Sequence, residues 1–399
     1  MATTTTNPNA LRVDLDYYPG HKHLFQQGAY QAVGTTNRVA SYKINSEISR
    51  QDFLNYFLIH RSLSPQYATY AARLKNINQS IVWLQNAISM NNSTINALPG
   101  GVGVQERVGE AISLSISNVM FNLTQADWDV IPIQRGRAAH PTFDFERTWN
   151  GVNAAGNVIQ IEAKGSLVPD SAASNQPNVM KHAGNITGKK VNIAKKGASY
   201  GHPASVRYGM IAAIDSGKTA KCWLLDPESD QMSNNPLDLK MSFRTEYVAS
   251  MIELMAPQAT LVEALRQRAH LWREGGSGKD SGPVRSARGF AFSRQNYVEE
   301  FLSTGKVWIP EHDIVGKVLQ ADSSSSFFVG LRGDVIRAAI GQVKAEVLES
   351  SFMPTSFTNV AINQLADSFG QVGTSRGSNV FTFHICSSGG VIGIVAGSE

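Results

Sequence analysis

The sequence predicts an α/β protein in which a central mixed β-sheet is flanked by helices, with helical N- and C-terminal regions. Apolar and polar side chains alternate over residues 142–149 and 158–165, as they do in strands that turn one face to a core. Over residues 64–88 and 104–121, apolar side chains instead recur every three or four residues, which is the spacing of an amphipathic helix. The two periods in one chain indicate helices packed on a sheet.

Length, charge and cysteine content narrow the class of protein. At 399 residues, the chain is long enough for two or three domains and a sizeable core. Its net charge of +4 is mild, so nucleic acid is permitted as a partner without being demanded. Because Cys222 and Cys386 are the only cysteines, a disulfide framework and a four-cysteine zinc site are excluded, and a cytoplasmic location is expected.

No segment of the sequence predicts export or membrane insertion. The first nine residues are polar and lack the basic and apolar regions of a signal peptide. No apolar run reaches the ~20 residues that span a bilayer. We therefore expect no membrane partner.

Residues 1–100 are predicted to form an N-terminal, mainly helical region. Residues 50–63 have the pattern of a short helix. Ser64 as N-cap and Pro65 at the first helical position then begin the long amphipathic helix. Residues 12–40 show no clear period. The apolar stripe of the long helix favours a core or an interface over a ligand site.

Residues 101–235 are predicted to form the α/β core. Gly and Asn residues between 151 and 157 supply the positive-φ positions of a hairpin connection, and residues 215–218 form a second tight turn. Arg135 and Arg137 belong to a basic turn after the first strand. The expected elements are one helix and five strands, over 104–121, 127–134, 142–149, 158–165, 206–214 and 220–225.

Acidic side chains collect on the polar faces of two of these strands. Alternation places Asp144 and Glu146 on one face of their strand. In the next strand it groups Gln160, Glu162 and Lys164. A hairpin between the strands brings Glu162 opposite 144 to 146, so carboxylates from both strands meet. Such a cluster of oxygen ligands favours a hard divalent cation, most plausibly Mg²⁺, over zinc.

Asp144, followed eighteen residues later by Glu162-Ala163-Lys164 at the end of a hairpin strand, resembles the motif of the PD-(D/E)XK nuclease superfamily. The order helix, strand, strand, strand is similar to the core of that superfamily, whose members include restriction endonucleases, repair and recombination nucleases and phage-defence effectors. The resemblance implies a restriction endonuclease-like core in which Asp144 and Glu162 hold Mg²⁺ or Mn²⁺. It also implies that Lys164 positions or activates the attacking water and that Gln160 lines the catalytic site.

Two residues of the motif, the strand aspartate and the helix acid, each have an alternative candidate. The family often has Pro directly before its Asp, whereas here Pro141 stands three residues upstream, so Glu146 remains an alternative to Asp144. In this family a helix before the core strands often supplies one more acid to the metal. By resemblance that acid is Glu110, with Glu106, one turn away on the same face of the helix, as the alternative.

A basic segment follows the proposed metal site. Between residues 171 and 214 there is no Asp or Glu, and several glycines make the segment loop-like, so part of it is expected to order only on binding. Positive charges without nearby acids are typical of a surface that binds the phosphate backbone of nucleic acid. The alternative is a solvated loop whose lysines aid solubility. The expected nucleic-acid contacts are Lys181, Lys189, Lys190, Lys195, Lys196 and Arg207.

Residues 236–399 are predicted to form a C-terminal α/β region of unknown role, since no stretch in it carries a chemical motif. Thr260 and Glu263 suggest a capping box at the start of one helix. Residues 275–282 lack the spacing and the Ser or Thr of a phosphate-binding loop, so a flexible loop is expected there. The expected elements are helices over 245–255, 260–273 and 334–350 and a strand over 380–386.

Taken with the resemblance, these features predict a Mg²⁺-dependent endonuclease that hydrolyses DNA phosphodiester bonds in restriction or antiviral defence. The resemblance also implies a homo-oligomer that cuts both strands, and it leaves room for a partner protein of a defence system. The alternative is a non-catalytic nucleic-acid-binding or assembly protein that retains the nuclease fold. The residues do not distinguish DNA from RNA as the substrate.

Overall fold

The computed structural model describes residues 10–59, 70–87, 94–95, 103–131, 142–149, 157–196, 202, 204–215, 218–225, 236–275, 282–285, 307–309, 313–320, 326–362 and 379–395. The chain divides into two compact units. The first comprises Met1–Gln66 and Ser80–Leu237, and the second comprises Tyr67–Gln79 and Asp238–Glu399.

A seven-stranded mixed sheet forms the centre of the first unit. Its strands are β1 (Ala10–Tyr17), β2 (Glu47–Ser49), β3 (Trp128–Val130), β4 (Phe145–Trp149), β5 (Asn157–Leu167), β6 (Val206–Ile214) and β7 (Ala220–Leu225). They lie in the order β2-β1-β7-β6-β5-β4-β3. The pairs β1–β7 and β5–β6 are parallel, and the other neighbours are antiparallel.

Helices flank this sheet, which confirms the predicted α/β class with a mixed sheet between helices. The helix predicted over 104–121 has those bounds, and the short helix predicted from residue 50 begins there, with the Ser49 side chain accepting from the N–H of Asp52. The helices described up to residue 196 are α1 (Gly28–Ala32), α2 (Thr35–Asn45), α3 (Arg50–Leu58), α4 (Tyr70–Ala87), α5 (Val104–Phe121) and α6 (Pro177–Ala194).

The N-terminal residues join the sheet of the core, whereas the sequence suggested a separate helical region up to residue 100. Leu11, Val13 and Leu15 of β1 are buried and alternate with more exposed residues. Residues Val13 to Tyr17 then pair in parallel with β7. The alternation was visible in the sequence, but a pairing with a strand so distant along the chain leaves no local signal.

α5 packs on one face of the sheet through two glycines. A Cβ atom on Gly165 of β5 would overlap the backbone of Gln105 and Gly109, and a Cβ on Gly109 would overlap the backbone of Gly165. The helix and strand backbones are therefore closer than side chains would permit. This contact sets the position of α5 on β5.

α6 packs on the opposite face. Gly165 and Glu162 point to opposite sides of β5 because successive residues of a strand alternate. Gly209 of β6 pairs with Glu162, and a Cβ on Gly209 would meet the side chain of Ile186 of α6. The apolar residues that bury α6 against this face are Val179, Ala183, Ile186, Ile211, Ala213, Trp223 and Leu225, together with Val168.

Both faces of β5 are buried as a result. Ile161 on the predicted apolar face and Glu162 on the polar face are each 0% exposed. An interior strand that pairs in parallel is normally covered by helices on both sides. The charged residues of β5 therefore lie beneath a helix and not on an open sheet surface.

The basic segment after β5 contains an 18-residue helix, so the expectation that this segment is loop-like was wrong. Pro177 lies in the first turn of α6, where its missing N–H is harmless. Val179, Ala183 and Ile186 recur at three- and four-residue spacing and form its buried side. The glycines concealed that period, because Gly184 and Gly188 lie on the helix where an added Cβ would meet open space.

The second unit is built on a six-stranded antiparallel sheet. Its strands are β8 (Val307–Ile309), β9 (Ile314–Gln320), β10 (Ser326–Arg332), β11 (Thr355–Ile362), β12 (Asn379–Ile385) and β13 (Gly390–Val395). They lie in the order β11-β12-β13-β10-β9-β8. Its main described helices are α7 (Pro236–Met255), α8 (Thr260–Arg273), α9 (Gly333–Gly341) and α10 (Lys344–Glu349).

Two helix predictions in this unit were wrong. α9 and α10 replace the single helix expected over 334–350, because Gln342 has a φ of 55° and ends α9 in the left-handed region. Its amide accepts from the indole of Trp272 at 2.6 Å and donates to Thr245 at 3.3 Å, contacts that no local pattern reveals. α8 begins at Thr260 with Ala259 as its N-cap, so Thr260 does not occupy the N-cap position that the expected capping box with Glu263 requires.

Several predictions lie outside the described residues. They are the Ser64 cap with Pro65, the basic turn at 135–137, the hairpin connection at 151–156 and most of the glycine-rich stretch at 275–282. In the part of the chain that the structure describes, no helix is both long and apolar enough to cross a membrane.

Candidate functional site

Asp144 lies just before β4, where the neighbouring strands hold both its backbone and its side chain. Its N–H donates to the carbonyl of Ile161 at 3.1 Å, and its own carbonyl accepts from the N–H of Ile131 at 3.2 Å. Its Oδ2 atom accepts from the backbone N–H of Ala163 at 3.1 Å. The carboxylate is thereby directed at β5, across from Glu162.

Glu162 projects from β5 toward α6 and is almost wholly buried, with 1% of its side chain exposed. Its Oε1 atom lies 2.6 Å from Nζ of Lys164 and 2.5 Å from Nζ of Lys189. Its Oε2 atom is buried and has no hydrogen-bond partner among the described residues. A buried carboxylate oxygen without a donor is costly, so this atom is available to a ligand.

Lys164 connects the two carboxylates. It lies two residues after Glu162 on the same face of β5, and its Nζ atom is also 3.1 Å from Oδ2 of Asp144. The predicted convergence of Asp144, Glu162 and Lys164 is therefore present in the structure. The strands produce it because β4 and β5 are paired in the register Phe145 to Ile161.

Lys189 of α6 is a fourth member of this cluster, and the sequence reasoning placed it on an exposed surface. Its Nζ atom donates to the carbonyl of Thr142 at 3.1 Å and lies 3.7 Å from Oδ1 of Asp144, in addition to its contact with Glu162. One turn later, Ile193 packs with Ile131 and Phe143, which holds this end of α6 beside Asp144. The sequence does contain a signal for Lys189: it lies three residues after Ile186, in line with the apolar residues that bury α6.

Solvent reaches Lys164, Lys189 and Asp144 but almost none of Glu162. The exposed fraction of the side chain is 18% for Asp144, 24% for Lys164 and 32% for Lys189. Glu162 lies behind them. A solute that approached from solvent would therefore meet the two ammonium groups before the deeper carboxylate.

The protonation of this cluster follows from its burial and its charges. Burial raises the pKa of Glu162, and the Asp144 carboxylate raises it further, whereas Lys164 and Lys189 act in the opposite direction. Burial alone would lower the pKa of Lys164, but Asp144 and Glu162 outweigh burial and place that pKa above its ordinary value. Lys164 therefore carries its proton at neutral pH. In that state it can orient water or stabilise negative charge.

The residues of the cluster fit a hard divalent cation. Asp144, just before β4, and Glu162 of β5 both present carboxylate oxygens, and Oε2 of Glu162 has no described partner. Mg²⁺ is commonly held by one or two carboxylates, with waters and substrate phosphates as its remaining ligands. Asp144 and Glu162 are the two residues that would hold it.

Glu146, the alternative to Asp144, belongs to a separate buried group. Gln160 lies opposite it in the β4–β5 ladder, and the Gln160 amide donates to the carbonyl of His202 at 2.9 Å. Arg207 donates to Oε1 of Gln160 at 2.9 Å. The structure therefore brings Asp144, and not Glu146, to Lys164, and it places Gln160 on the same face as Glu162 with different partners.

The helix acids are not gathered with Asp144 and Glu162. Glu110 is buried on α5, close enough to Arg107 to affect its pKa, and Glu106 is exposed on the same helix. Among the described residues, no group of three or more His, Cys, Asp or Glu side chains could hold a metal ion. The structure therefore assembles two of the three expected ligands.

Of the six residues expected to contact nucleic acid, four lie on the surface or near it. Lys181, Lys195 and Lys196 are exposed and Lys190 is half-buried. Arg207 is 4% exposed and bonded to Gln160, so the expectation that it belongs to this surface was wrong. Strand β6 buries it because helices cover both faces of the sheet.

Burial also shifts the pKa of two other side chains in the first unit, His182 and Cys222. His182 of α6 has a pKa lowered by burial and by Lys164 and Lys181, and its buried Nδ1 atom has no hydrogen-bond partner in the described part of the chain. Burial raises the pKa of the Cys222 thiol to about 12. Cys222 is therefore a protonated residue of the core.

The chain was compared with protein-family models, with curated protein sequences and with solved structures, and none of them matches.

Proposed function

We propose that the chain is a metal-dependent nuclease with a restriction endonuclease-like core, and that its reaction is hydrolysis of DNA phosphodiester bonds. The site is the cluster of Asp144, Glu162 and Lys164. One observation carries the proposal: Glu162 is buried beside Asp144 with Oε2 unpartnered among the described residues, while a protonated lysine bridges both acids. An ordinary buried ion pair would leave no such oxygen.

The chemistry of phosphodiester hydrolysis suits these groups. Water attacks the phosphorus, the bond from phosphorus to the leaving sugar oxygen breaks, the water loses a proton and the leaving oxygen gains one. Mg²⁺ supplies a Lewis acid and a more acidic water when it is bound. Asp144 and Glu162 are the residues that would hold this ion. Lys164, whose ammonium lies beside both carboxylates, orients the water and offsets the negative charge that develops on the phosphate.

The order of elements supports a restriction endonuclease-like core. α5 precedes the three antiparallel strands β3, β4 and β5, and the acidic residues lie at the β4–β5 pair. α6 and β6 follow, and β6 pairs with β5 in parallel. Lys181 and Lys190 lie on α6, the helix that covers the cluster, and Lys195 and Lys196 follow it directly. These positive charges favour a polyanion as the substrate.

The test is incubation of the purified full-length chain with supercoiled plasmid, single-stranded DNA and RNA, each with Mg²⁺, Mn²⁺ or a chelator. Cleavage that requires the metal is expected. Glu162→Gln and Lys164→Met should lower the cleavage rate about a hundredfold or more while DNA binding survives. Absence of cleavage of all three substrates by the wild type in either metal would refute the proposal.

A matched control separates the site from a general effect of charge. Asp14 is an exposed carboxylate on β1 of the same sheet. Asp14→Asn removes one negative charge, as Glu162→Gln does, and should leave the cleavage rate unchanged. Circular dichroism of each variant verifies that a lost activity is not a lost fold.

A second candidate function is non-catalytic nucleic-acid binding by a protein that retains the nuclease fold. The two carboxylates face two ammonium groups, so the described cluster is balanced in charge by its own residues. This balance favours a non-catalytic nucleic-acid-binding protein in which the cluster joins α6 to the sheet. In that case the wild type binds nucleic acid with no cleavage, and Glu162→Gln lowers the free energy of unfolding without any change in binding.

A further inference from the structure

Lys189 makes contacts in the cluster that differ from those of Lys164. Lys164 is rooted in β5 beside Glu162, and it has short contacts with both carboxylates, at 2.6 and 3.1 Å. Lys189 extends from α6, has one short carboxylate contact at 2.5 Å with Glu162, and lies 3.7 Å from Asp144. It is also the more exposed of the two lysines. Lys189 also donates to the carbonyl of Thr142 at 3.1 Å, but one carboxylate holds it closely where two hold Lys164. Its ammonium is therefore the easier of the two to displace.

A divalent cation and the Lys189 ammonium compete for the same carboxylate. Both lysines lie on Oε1 of Glu162, and a cation that used Oε2 would be bound to the same small anion. The ammonium and the cation are both positive, and two like charges on one carboxylate repel strongly where water is partly excluded. The cation therefore binds more tightly when Lys189 has moved away from Glu162 than when the two remain in contact.

After such a movement Lys189 still lies at the mouth of the cluster. Its neighbours on α6 are fixed, because Ile186 packs in the apolar cluster under the helix and Ile193 packs against Ile131 and Phe143. Only the flexible lysine side chain moves, on the side where solvent reaches the carboxylates. A free ammonium in that position is a ligand for a phosphate oxygen.

We propose that Lys189 is a further catalytic residue of this site: it neutralises Glu162 in the metal-free protein, releases it when a divalent cation binds, and then binds the phosphate of the nucleic acid. The inference rests on the proposed nuclease function for its last step. The exchange between Lys189 and the cation rests on the contacts of Glu162 alone. The two can be measured separately.

A similar group elsewhere in the first unit provides the control. Asp16 lies 2.9 Å from Nζ of Lys43 and 3.5 Å from Nζ of Lys221. It thus has two lysines, as Glu162 has, but 43% of its side chain is exposed. Lys43→Met removes an ion-paired lysine of the same unit without touching the proposed site.

The first arm measures metal binding without any reaction. Mn²⁺ is titrated into the full-length wild type, Lys189→Met and Lys43→Met, and free Mn²⁺ is followed by electron paramagnetic resonance. Removal of the competing ammonium should tighten Mn²⁺ binding about tenfold in Lys189→Met. Lys43→Met should bind as the wild type does. Lys189→Gln, which keeps hydrogen bonding to Glu162, repeats the test should the methionine variant not fold.

The second arm measures cleavage of plasmid in saturating Mn²⁺. Lys189→Met should cleave about a hundredfold more slowly than the wild type although it binds the metal more tightly, and Lys189→Arg should recover part of the rate. Mn²⁺ binding that is unchanged or weaker in Lys189→Met overturns the exchange, and unchanged cleavage overturns the role at the phosphate. A wild type that cleaves nothing counts against the nuclease, whereas tighter Mn²⁺ binding by Lys189→Met would still support the exchange.

Discussion

Gly109 of α5 and Gly165 of β5 lie against each other, backbone to backbone, with no room for a methyl group at either position. The contact occurs one residue after Lys164, so it holds α5 against the segment of β5 that carries the candidate site. Helix propensity alone would favour alanine over glycine at position 109. Packing opposes it, because backbone atoms cannot move aside as a side chain can.

Alanine at either glycine should therefore destabilise the first unit. We expect Gly109→Ala and Gly165→Ala each to lower the free energy of unfolding by about 1–3 kcal/mol, measured by urea denaturation. Gly184→Ala on α6 is the control, since its Cβ would meet open space. It should raise stability by about 0.5–1 kcal/mol. A stabilised Gly109→Ala would contradict the close contact.

The lysines on α6 and directly after it should determine the salt dependence of nucleic-acid binding. A variant with Gln at Lys181, Lys190, Lys195 and Lys196 is expected to bind duplex DNA more weakly in the presence of a chelator. The slope of log affinity against log salt concentration should fall by about one for each lysine that contacts phosphate. Fluorescence anisotropy at several salt concentrations measures it.

Lys43→Gln, on α2 and exposed, controls for net charge in that experiment. It should leave the slope unchanged. A slope that is equally insensitive to the four lysine substitutions would show that nucleic acid does not contact these lysines.

Glu253 of α7 should make the stability of the second unit depend on pH. It lies 2.8 Å from Arg266 of α8 and 3.2 Å from Arg73. Burial by itself raises the pKa of Glu253, but the two arginines outweigh burial and hold that pKa below its ordinary value. A carboxylate with a lowered pKa in the folded state stabilises the fold above its unfolded pKa. That stabilisation is lost as pH falls through the folded value.

Glu253→Gln should accordingly lower the unfolding free energy by about 1 kcal/mol at pH 7, after allowance for partial exposure. The difference from the wild type should shrink as the pH falls below the ordinary pKa of glutamate. Denaturant titrations at a series of pH values test this. A difference that is constant with pH would mean that Glu253 acts through packing and not through its charge.

Arg244 of α7 should be important for the C-terminal end of α10. Its guanidinium donates to the carbonyl of Val347 at 2.6 Å and to the carbonyl and hydroxyl of Ser350 at 2.8 and 3.2 Å. Arg244 is buried. Arg244→Met should lower the unfolding free energy by about 2–3 kcal/mol, because carbonyls at a helix end lose a charged donor.

Arg244→Lys tests whether the geometry of the donor matters. Lysine keeps the charge but lacks the planar fork of donors, so we expect it to recover only part of the loss. Arg273 of α8, with its guanidinium over the ring of Phe243, offers a control: Arg273→Lys keeps a cation near an aromatic ring and should have a smaller effect.

Elements with a complete local pattern could be predicted from the sequence. α5, β6 and β7 have the predicted bounds, because each carries its own period and its own turn or cap residues. β4 and β5 could be predicted as a pair, since a short hairpin connection leaves few ways to pair them. Their register was left open by a residue or two, and the structure pairs Phe145 with Ile161. β1 and α6 could not, because β1 joins the sheet by pairing with a strand about 200 residues away and glycines in α6 conceal its helical period.

The candidate site divides in the same way. Asp144, Glu162 and Lys164 could be predicted as neighbours because alternation in two paired strands is enough to bring them to one face. Lys189 could not, since its contact with Glu162 depends on how α6 packs over the sheet. The same packing removed Arg207 from the exposed surface and left Glu110 on the opposite side of the sheet from Glu162.

The amino-acid sequence by itself determined the local periods, and with them the paired strands that present two acids and a lysine together. Only the tertiary structure decided which helix covers those strands, which second lysine reaches the buried acid, and which oxygen of that acid keeps no described partner. The reason is physical: hydrogen bonding and alternation act between residues near in sequence or joined by a short turn. The burial and electrostatic environment of a side chain depend on segments that meet only after the chain has folded.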